Sequence, residues 1–249
     1  MQFYMDKLNK HYGKNHALRD FSLHMEPGIY ALLGPNGAGK STLMNIIVQN
    51  VRADSGRILV DQVPMEKMGN AYRAQLGYMP QQQELPGYFS ASRFLYYIAA
   101  LKGMSRKDAD EQIEETLKLV NMWEVRDQRL ASYSGGMKQR ILIAQAILGN
   151  PGILIMDEPT AGLDPRERVR IRNLISQISE NRITIIATHV VSDIECIAKE
   201  VLFLRKGCLI EQIHPGQIQE RMKGRVFELL VPANQIDQYL NSFLVSGLT

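Results

Sequence analysis

The sequence predicts an α/β protein whose core is a mainly parallel β-sheet. Three short, unbroken apolar runs lie at 152–158, 182–189 and 200–207, and helical segments separate them. Strands that are buried on both faces show this pattern, because neither face of the sheet meets water. A fourth apolar run, Gly28–Leu33, leads into a glycine-rich loop and then into a helical stretch.

The N-terminal part of the chain is expected to form antiparallel strands. Residues 1–33 contain runs of strand type that turn at 11–15 and at Pro27–Gly28, and closely spaced turns favour paired neighbouring strands. Beyond the glycine-rich loop, the pattern predicts a helix over 41–48. A further strand is predicted over 57–61, after a turn at 54–56.

A helical subdomain is predicted over about 85–150. Its residues have mainly helical periodicity, and one expected apolar face carries Phe94, Tyr97, Ile98 and Leu101,. Strand and helix signals at 225–231 and 235–243 predict a small α/β appendage. The expected division is therefore a main domain over 1–215 and an appendage over 216–249.

The composition is typical of a folded protein inside the cell. Hydrophobic residues make up 45% and charged residues 22%,, and a net charge of +3 is too small to favour nucleic acid as a partner,. Cys196 and Cys208 cannot form a disulfide framework. Apolar runs stay well short of the roughly 18 residues that span a bilayer. The sequence therefore predicts a cytoplasmic chain that reaches a membrane only through a partner.

The glycine-rich loop fits the pattern G-x-x-x-x-G-K-[ST] between a strand and a helix,. Glycines allow backbone N–H groups to surround phosphate oxygens, and the helix N-terminus favours an anion. Lys40 is expected to reach the β- and γ-phosphates, and the Ser41 hydroxyl to bind Mg²⁺. The predicted nucleotide-binding residues here are Gly34, Pro35, Asn36, Gly37, Ala38, Gly39, Lys40, Ser41 and Thr42.

Two carboxylates follow the apolar run that begins at Ile153. Asp157 stands at the expected C-terminal end of the strand, where open α/β sheets bind their ligands, and it is predicted to hold Mg²⁺. Glu158 comes one residue later and is predicted to orient or deprotonate the attacking water. The alternative is an acidic turn that caps the next helix.

A second glycine-containing helix start lies at Ser134, Gly135 and Gly136. Ser134 is a suitable N-cap, and the two glycines leave backbone N–H groups uncovered at the start of the helix. This predicts a second phosphate-binding helix terminus in the same chain. An ordinary helix cap is the alternative interpretation.

Over residues 1–215 the chain resembles the nucleotide-binding domain of ABC transporters, with six motifs in the family's order. The string at 134–140 is similar to the LSGGQ-type signature, although Tyr133 stands where leucine is usual. The segment 159–164 matches the D-loop, which ends in Asp164. Gln81 matches the Q-loop glutamine, His189 the switch histidine, and Tyr12 the aromatic residue that stacks on adenine.

The resemblance implies an ATPase in which two subunits pack head to tail. The signature of one subunit (Ser134, Gly135, Gly136), with the D-loop Asp164, then closes on ATP held by the other. It implies Glu158, His189, Lys40 and Gln81 as catalytic residues, and Ser41, Gln81 and Asp157 as magnesium ligands. A homodimer is the simplest assembly, because each motif occurs once.

Several functional alternatives remain open at this stage. The preferred one is the ATP-hydrolysing subunit of a transporter, most similar to exporters of drugs, antibiotics or peptides whose transmembrane permease is a separate chain. The chain would then lie on the inner face of the cell membrane. One alternative is a soluble ABC-type ATPase that acts in DNA repair or on ribosomes, and another is a nucleotide-sensing module without turnover.

Overall fold

The computed structural model describes residues 1–81 and 83–222, together with the single positions 231, 236 and 239. The chain divides into two compact units, Met1–Pro215 and Gly216–Thr249. The predicted elements at 225–231 and 235–243 lie, apart from those single positions, outside the described residues.

The strands and helices follow the order that the sequence predicts, with consecutive strands at the N-terminus, a helical stretch after β6, and helices between β7, β8 and β9. The strands are β1 (Phe3–Tyr12), β2 (Asn15–Met25), β3 (Gly28–Leu33), β4 (Ser55–Val60), β5 (Val63–Pro64), β6 (Leu76–Met79), β7 (Ile153–Asp157), β8 (Ile183–Ala187), β9 (Glu200–Arg205) and β10 (Cys208–Ile213). The helices are α1 (Lys40–Ile47), α2 (Met65–Met68), α3 (Asn70–Ala74), α4 (Ala91–Leu101), α5 (Arg106–Leu119), α6 (Gly135–Ile147), α7 (Pro165–Ile178), α8 (Val191–Ile194) and α9 (Pro215–Met222). The predicted bounds differ from these by one or two residues.

An antiparallel sheet forms the N-terminal part, with its described strands in the order β2-β1-β4-β5. On β1, Phe3, Met5 and Leu8 are buried while Tyr4 is exposed, as expected of a sheet with one face on the core. The prediction of antiparallel N-terminal strands is confirmed.

The central sheet has its described strands in the order β10-β9-β3-β8-β7-β6. Neighbouring strands pair in parallel throughout β9-β3-β8-β7-β6, while β10 pairs antiparallel with β9. The strands β7 and β8 are almost fully buried. Because β3, β6, β7 and β8 run the same way, the loops that follow them emerge at one edge of the sheet, where such folds bind ligands.

The helical stretch contains α4, α5 and α6, and each helix starts at a serine N-cap whose hydroxyl accepts a backbone N–H. The expected apolar face of α4 is partly wrong. Phe94 is buried, but Tyr97 and Leu101 are exposed, and the helix instead buries Leu95 and Ala99 beside Phe94. Aromatic and apolar side chains therefore remain on the outer surface of this segment.

Among the residues that the structure describes, no helix is long and apolar enough to cross a membrane.

Candidate nucleotide-binding site

The loop between β3 and α1 is shaped by glycines that nothing larger could replace. At Gly34, a Cβ atom would lie 2.4 Å from the carbonyl oxygen of Leu204. At Gly39, the backbone has a φ of 109° and leads directly into α1, and no described side chain caps this helix. The first N–H groups of α1 are therefore left for an anion.

Lys40 folds back over this loop. Its Nζ donates hydrogen bonds to the carbonyl oxygens of Gly34, at 2.5 Å, and Pro35, at 3.2 Å. These contacts hold the ammonium group over the loop, where Lys40 lines a cavity.

A cavity of about 640 Å³ lies at this edge of the sheet. Its lining brings together predicted residues that are far apart in sequence: Tyr12, Gly34, Pro35, Asn36, Gly37, Ala38, Gly39, Lys40, Ser41, Thr42, Gln81, Asp157, Glu158 and His189. Asn15 and Ala17 also line the cavity, although no motif in the sequence predicts them. The available signal was the hairpin itself, because Asn15 pairs with Tyr12 across it.

Glu158 and His189 form a pair at the ends of β7 and β8. The Oε1 atom of Glu158 lies 2.8 Å from Nδ1 of His189, and its Oε2 accepts a hydrogen bond from the Thr188 hydroxyl at 3.2 Å. The Glu158 side chain is only 10% exposed, whereas that of His189 is 73% exposed. The pair therefore has one enclosed carboxylate and one imidazole that is open to a ligand.

Asp157 carries a carboxyl group whose charge is disfavoured. Burial and then the neighbouring charge of Glu158 raise its pKa above the ordinary value, while Lys40 opposes them. A cation beside this carboxylate would relieve the repulsion.

The donors that face the cavity suit magnesium. Ser41, Gln81 and Asp157 contribute a hydroxyl, an amide and a carboxylate oxygen, and magnesium prefers oxygen ligands. In the described ranges no three His, Cys, Asp or Glu side chains form a metal-binding group.

Four predicted residues lie elsewhere. Ser134, Gly135, Gly136 and Asp164 do not belong to the described lining of the cavity. Ser134 is the exposed N-cap of α6, and its hydroxyl accepts from the Met137 N–H at 3.3 Å. Asp164 is the exposed N-cap of α7, where its carboxylate accepts from the Glu167 N–H at 3.0 Å.

The starts of α6 and α7 pack against each other. At Gly136 a Cβ atom would lie 2.7 Å from Oε2 of Glu167, and the same carboxylate pairs with Arg140 at 2.8 Å and Arg170 at 2.5 Å. Burial opposes the charge of Glu167, but the hydrogen bonds from Arg170 and Arg140 prevail and lower its pKa. The signature and the D-loop residue therefore share one fixed surface.

Tyr133 occupies the position at which leucine is usual in the signature, and it packs there as a buried side chain. Its ring is buried and its hydroxyl donates to the carbonyl oxygen of Val125 at 2.6 Å. The larger side chain thus packs into the helical segment, while Ser134 and Gly135 remain exposed at the start of α6.

The parallel sheet, the phosphate loop and the acidic strand end together define an ATP-binding hydrolase of the P-loop class. Residues 18–161 match the family model described as "ABC transporter". The chain is 32% identical over 229 residues to "Uncharacterized ABC transporter ATP-binding protein YxlF" of Bacillus subtilis (strain 168), which covers 91% of this chain and 76% of that protein.

A second relative and a solved structure also indicate an ATP-binding subunit of an ABC transporter. The chain is 31% identical to "Nod factor export ATP-binding protein I" of Paraburkholderia xenovorans (strain LB400), over 86% of this chain and 71% of that protein. The structure of cbiO1 from Clostridium perfringens, part of the ABC transporter complex cbiONQ, superposes with a TM-score of 0.79 at 25% identity, covering 96% of this chain and 98% of that chain. The chain therefore belongs to the ABC transporter family, as an ATP-binding subunit with ATPase activity.

Proposed function

We propose that this chain is the ATP-hydrolysing subunit of an exporter whose membrane-spanning permease is a separate chain. The name of the Nod factor export relative supports the direction of transport. The cbiONQ complex, to which the cbiO1 neighbour belongs, supports a separate membrane component. On this proposal the chain lies at the inner face of the cell membrane, held there by the permease.

Within the cavity each residue has a defined task. Tyr12, which is 47% exposed, stacks on adenine, and Lys40 with the loop N–H groups binds the phosphates. Ser41, Gln81 and Asp157 hold magnesium, which when bound offsets the negative charge of the phosphates. Glu158 orients the attacking water or accepts its proton, and His189 contacts the γ-phosphate.

The site needs a second copy of the chain. The observation that supports this is the separation of the two glycine-rich helix starts: the phosphate loop lines the cavity, whereas Ser134, Gly135 and Gly136 are not among its lining residues. A two-fold pairing would bring the signature of each copy over the ATP of the other and create two equivalent sites. Hydrolysis removes the γ-phosphate that joins the copies, so the pair reopens.

The pairing is tested with Glu158→Gln, which is expected to bind ATP but to lower turnover by about 10²-fold or more. With ATP and magnesium, the variant is expected to run at twice the monomer mass in size-exclusion chromatography with light scattering. Adding Ser134→Arg to Glu158→Gln places a bulky side chain at the interface and is expected to restore the monomer. Near-normal turnover of Glu158→Gln would remove the role of Glu158, and a persistent monomer, with the permease also present, would remove the shared site.

Our proposed contact with the permease is an aromatic cluster, formed by the exposed Tyr88 and Tyr97 and the half-buried Phe89. Tyr88 is 74% exposed and Tyr97 52% exposed, and the Phe89 ring lies 4.8 Å from that of Tyr88 and 6.4 Å from that of Tyr97. Exposed apolar clusters of this kind are typical of interaction surfaces. The cluster follows the Gln81 loop closely in sequence, so a movement at the ATP site would reach it.

The double variant Tyr88→Ser/Tyr97→Ser is expected to retain ATPase activity but to stop sedimenting with native membranes, because the apolar contact is lost. Tyr4→Ser, which changes an exposed tyrosine of the N-terminal sheet, is the matched control and is expected to sediment normally. Normal sedimentation of the double variant would place the permease contact elsewhere.

A further inference from the structure

The turn that carries Glu158 has an unfavourable backbone conformation. Glu158 has a φ of 51°, in the left-handed region, which is unfavourable for a non-glycine residue. Such a conformation persists only where surrounding contacts fix it. The Glu158 N–H donates to the carbonyl oxygen of Ala187, the last residue of β8, at 2.8 Å. Within the turn, the Glu158 carbonyl oxygen accepts from the Ala161 N–H at 3.1 Å.

The next residue is held by the signature helix. The side-chain amide of Gln139, on α6, donates to the carbonyl oxygen of Pro159 at 2.5 Å. Gln139 stands 20 residues before Pro159 in the chain, and the contact depends on α6 packing beside the turn. It fixes the orientation of the peptide that follows Pro159.

The third residue is held by α8. The Thr160 hydroxyl donates to Oδ2 of Asp193 at 2.6 Å, and both residues are buried, with 4% and 8% of their surfaces exposed. A buried carboxylate that lost this donor would remain unsatisfied, which opposes any rotation of Thr160. Three consecutive residues are thus held by other parts of the fold: Glu158 by a backbone hydrogen bond to β8, and Pro159 and Thr160 by side chains of α6 and α8.

We propose that Gln139 and Asp193 are positioning residues for Glu158. They hold Pro159 and Thr160 so that Glu158 stays in its strained conformation, with its carboxylate on Thr188 and His189. Without either contact the turn relaxes toward an ordinary conformation, and the carboxylate leaves the position it needs at the γ-phosphate. The inference rests on the role proposed above for Glu158.

Gln139→Met tests this, since methionine keeps the length of the side chain and removes the donor. Turnover is expected to fall about fivefold to tenfold, as the loss of one hydrogen bond allows, with KM for ATP unchanged. Gln112→Met is the matched control, because Gln112 is also a half-buried glutamine bonded to backbone, accepting from the Gly149 N–H at 3.0 Å. The control is expected to leave turnover unchanged.

The decisive measurement repeats Gln139→Met in the Glu158→Gln background, in single-turnover experiments. If Gln139 acts through Glu158, it is expected to cause no further loss there. An equal loss in both backgrounds, or normal turnover of Gln139→Met alone, would overturn the positioning role while leaving that of Glu158 intact. Normal turnover of Glu158→Gln would instead overturn the proposed function and the positioning role together.

The Asp193 contact has its own test. Thr160→Val removes the hydroxyl at constant shape and is expected to lower turnover with KM unchanged, whereas Thr160→Ser keeps a donor and is expected to recover most of it. Equal turnover of the valine and serine variants would remove Asp193 from the positioning role.

Discussion

The helices α1 and α6 both begin at glycine-rich segments, but their first N–H groups differ in whether a side chain caps them. At α1, Gly39 provides no side-chain cap, and the N–H groups face a cavity that their own chain lines. At α6, the Ser134 hydroxyl oxygen already accepts from Met137, and its proton remains to donate outward from an exposed surface. The first terminus lines the cavity of its own chain, and on the proposed function the second completes the site on another copy.

The largest expected effect of removing the cap of α6 is a loss of ATP turnover. Ser134→Ala and Ser105→Ala each remove an N-cap whose hydroxyl accepts from the third helical N–H, and each is expected to lower stability by about 0.5–2 kcal/mol. Ser134→Ala is also expected to lower ATP turnover about tenfold, because a hydrogen bond to a charged group contributes about 1.5–3 kcal/mol. Steady-state kinetics and urea unfolding measure the two effects.

Ser105 serves as the matched cap in this comparison, since it starts α5 of the same helical segment. Equal turnover of the two variants would mean that Ser134 only caps its helix, and the contrast between the two helix starts would fail.

A smaller effect, on the stability of the folded chain, is expected at Asp157 in the cavity. Burial, then Glu158, raises the pKa of Asp157 in the folded chain. The folded state therefore binds the proton more tightly than the unfolded state, so stability falls as pH rises from near the ordinary pKa of 3.8 through the raised value,. Without magnesium, Asp157→Asn is expected to have a higher Tm than the parent chain at pH 7, and this advantage is expected to shrink toward pH 4.

Thermal scans between pH 4 and pH 7 measure that difference, and ATPase assays of Asp157→Asn are expected to show loss of activity. For the thermal scans alone, the control is Asp164→Asn, whose carboxylate is exposed at the start of α7, and it is expected to show no such gain in Tm at pH 7. If Asp157→Asn had the lower Tm at pH 7, its charge would not be disfavoured in the fold.

Much of the architecture was predictable because its signals are local. The unbroken apolar runs at β7 and β8 identify strands that are buried on both faces, and the loop from Gly34 to Ser41 identifies itself by spacing alone. On α4 the prediction failed for Tyr97 and Leu101, which were expected on the core face and are exposed. Periodicity shows which residues share a face of a helix, but it does not show which face packs against the rest of the protein.

The contacts around Glu158 could not be predicted from the sequence. Gln139 lies within the string 134–140, but that string predicts no contact of its side chain with Pro159, and Asp193 lies in none of the motifs. Only the packing of α6 and α8 beside Pro159 and Thr160 brings them into hydrogen-bonding distance.

The sequence by itself determined the chemistry of the phosphate loop and of the acidic strand end, since each is a contiguous pattern whose spacing suffices. The tertiary structure alone decided which distant residues share a cavity, and it assembled Tyr12, Gln81 and His189 beside the loop while Ser134 stayed outside. The physical reason is the sheet: parallel strands end at a common edge, and the strand order, which no local pattern encodes, determines which loops meet there.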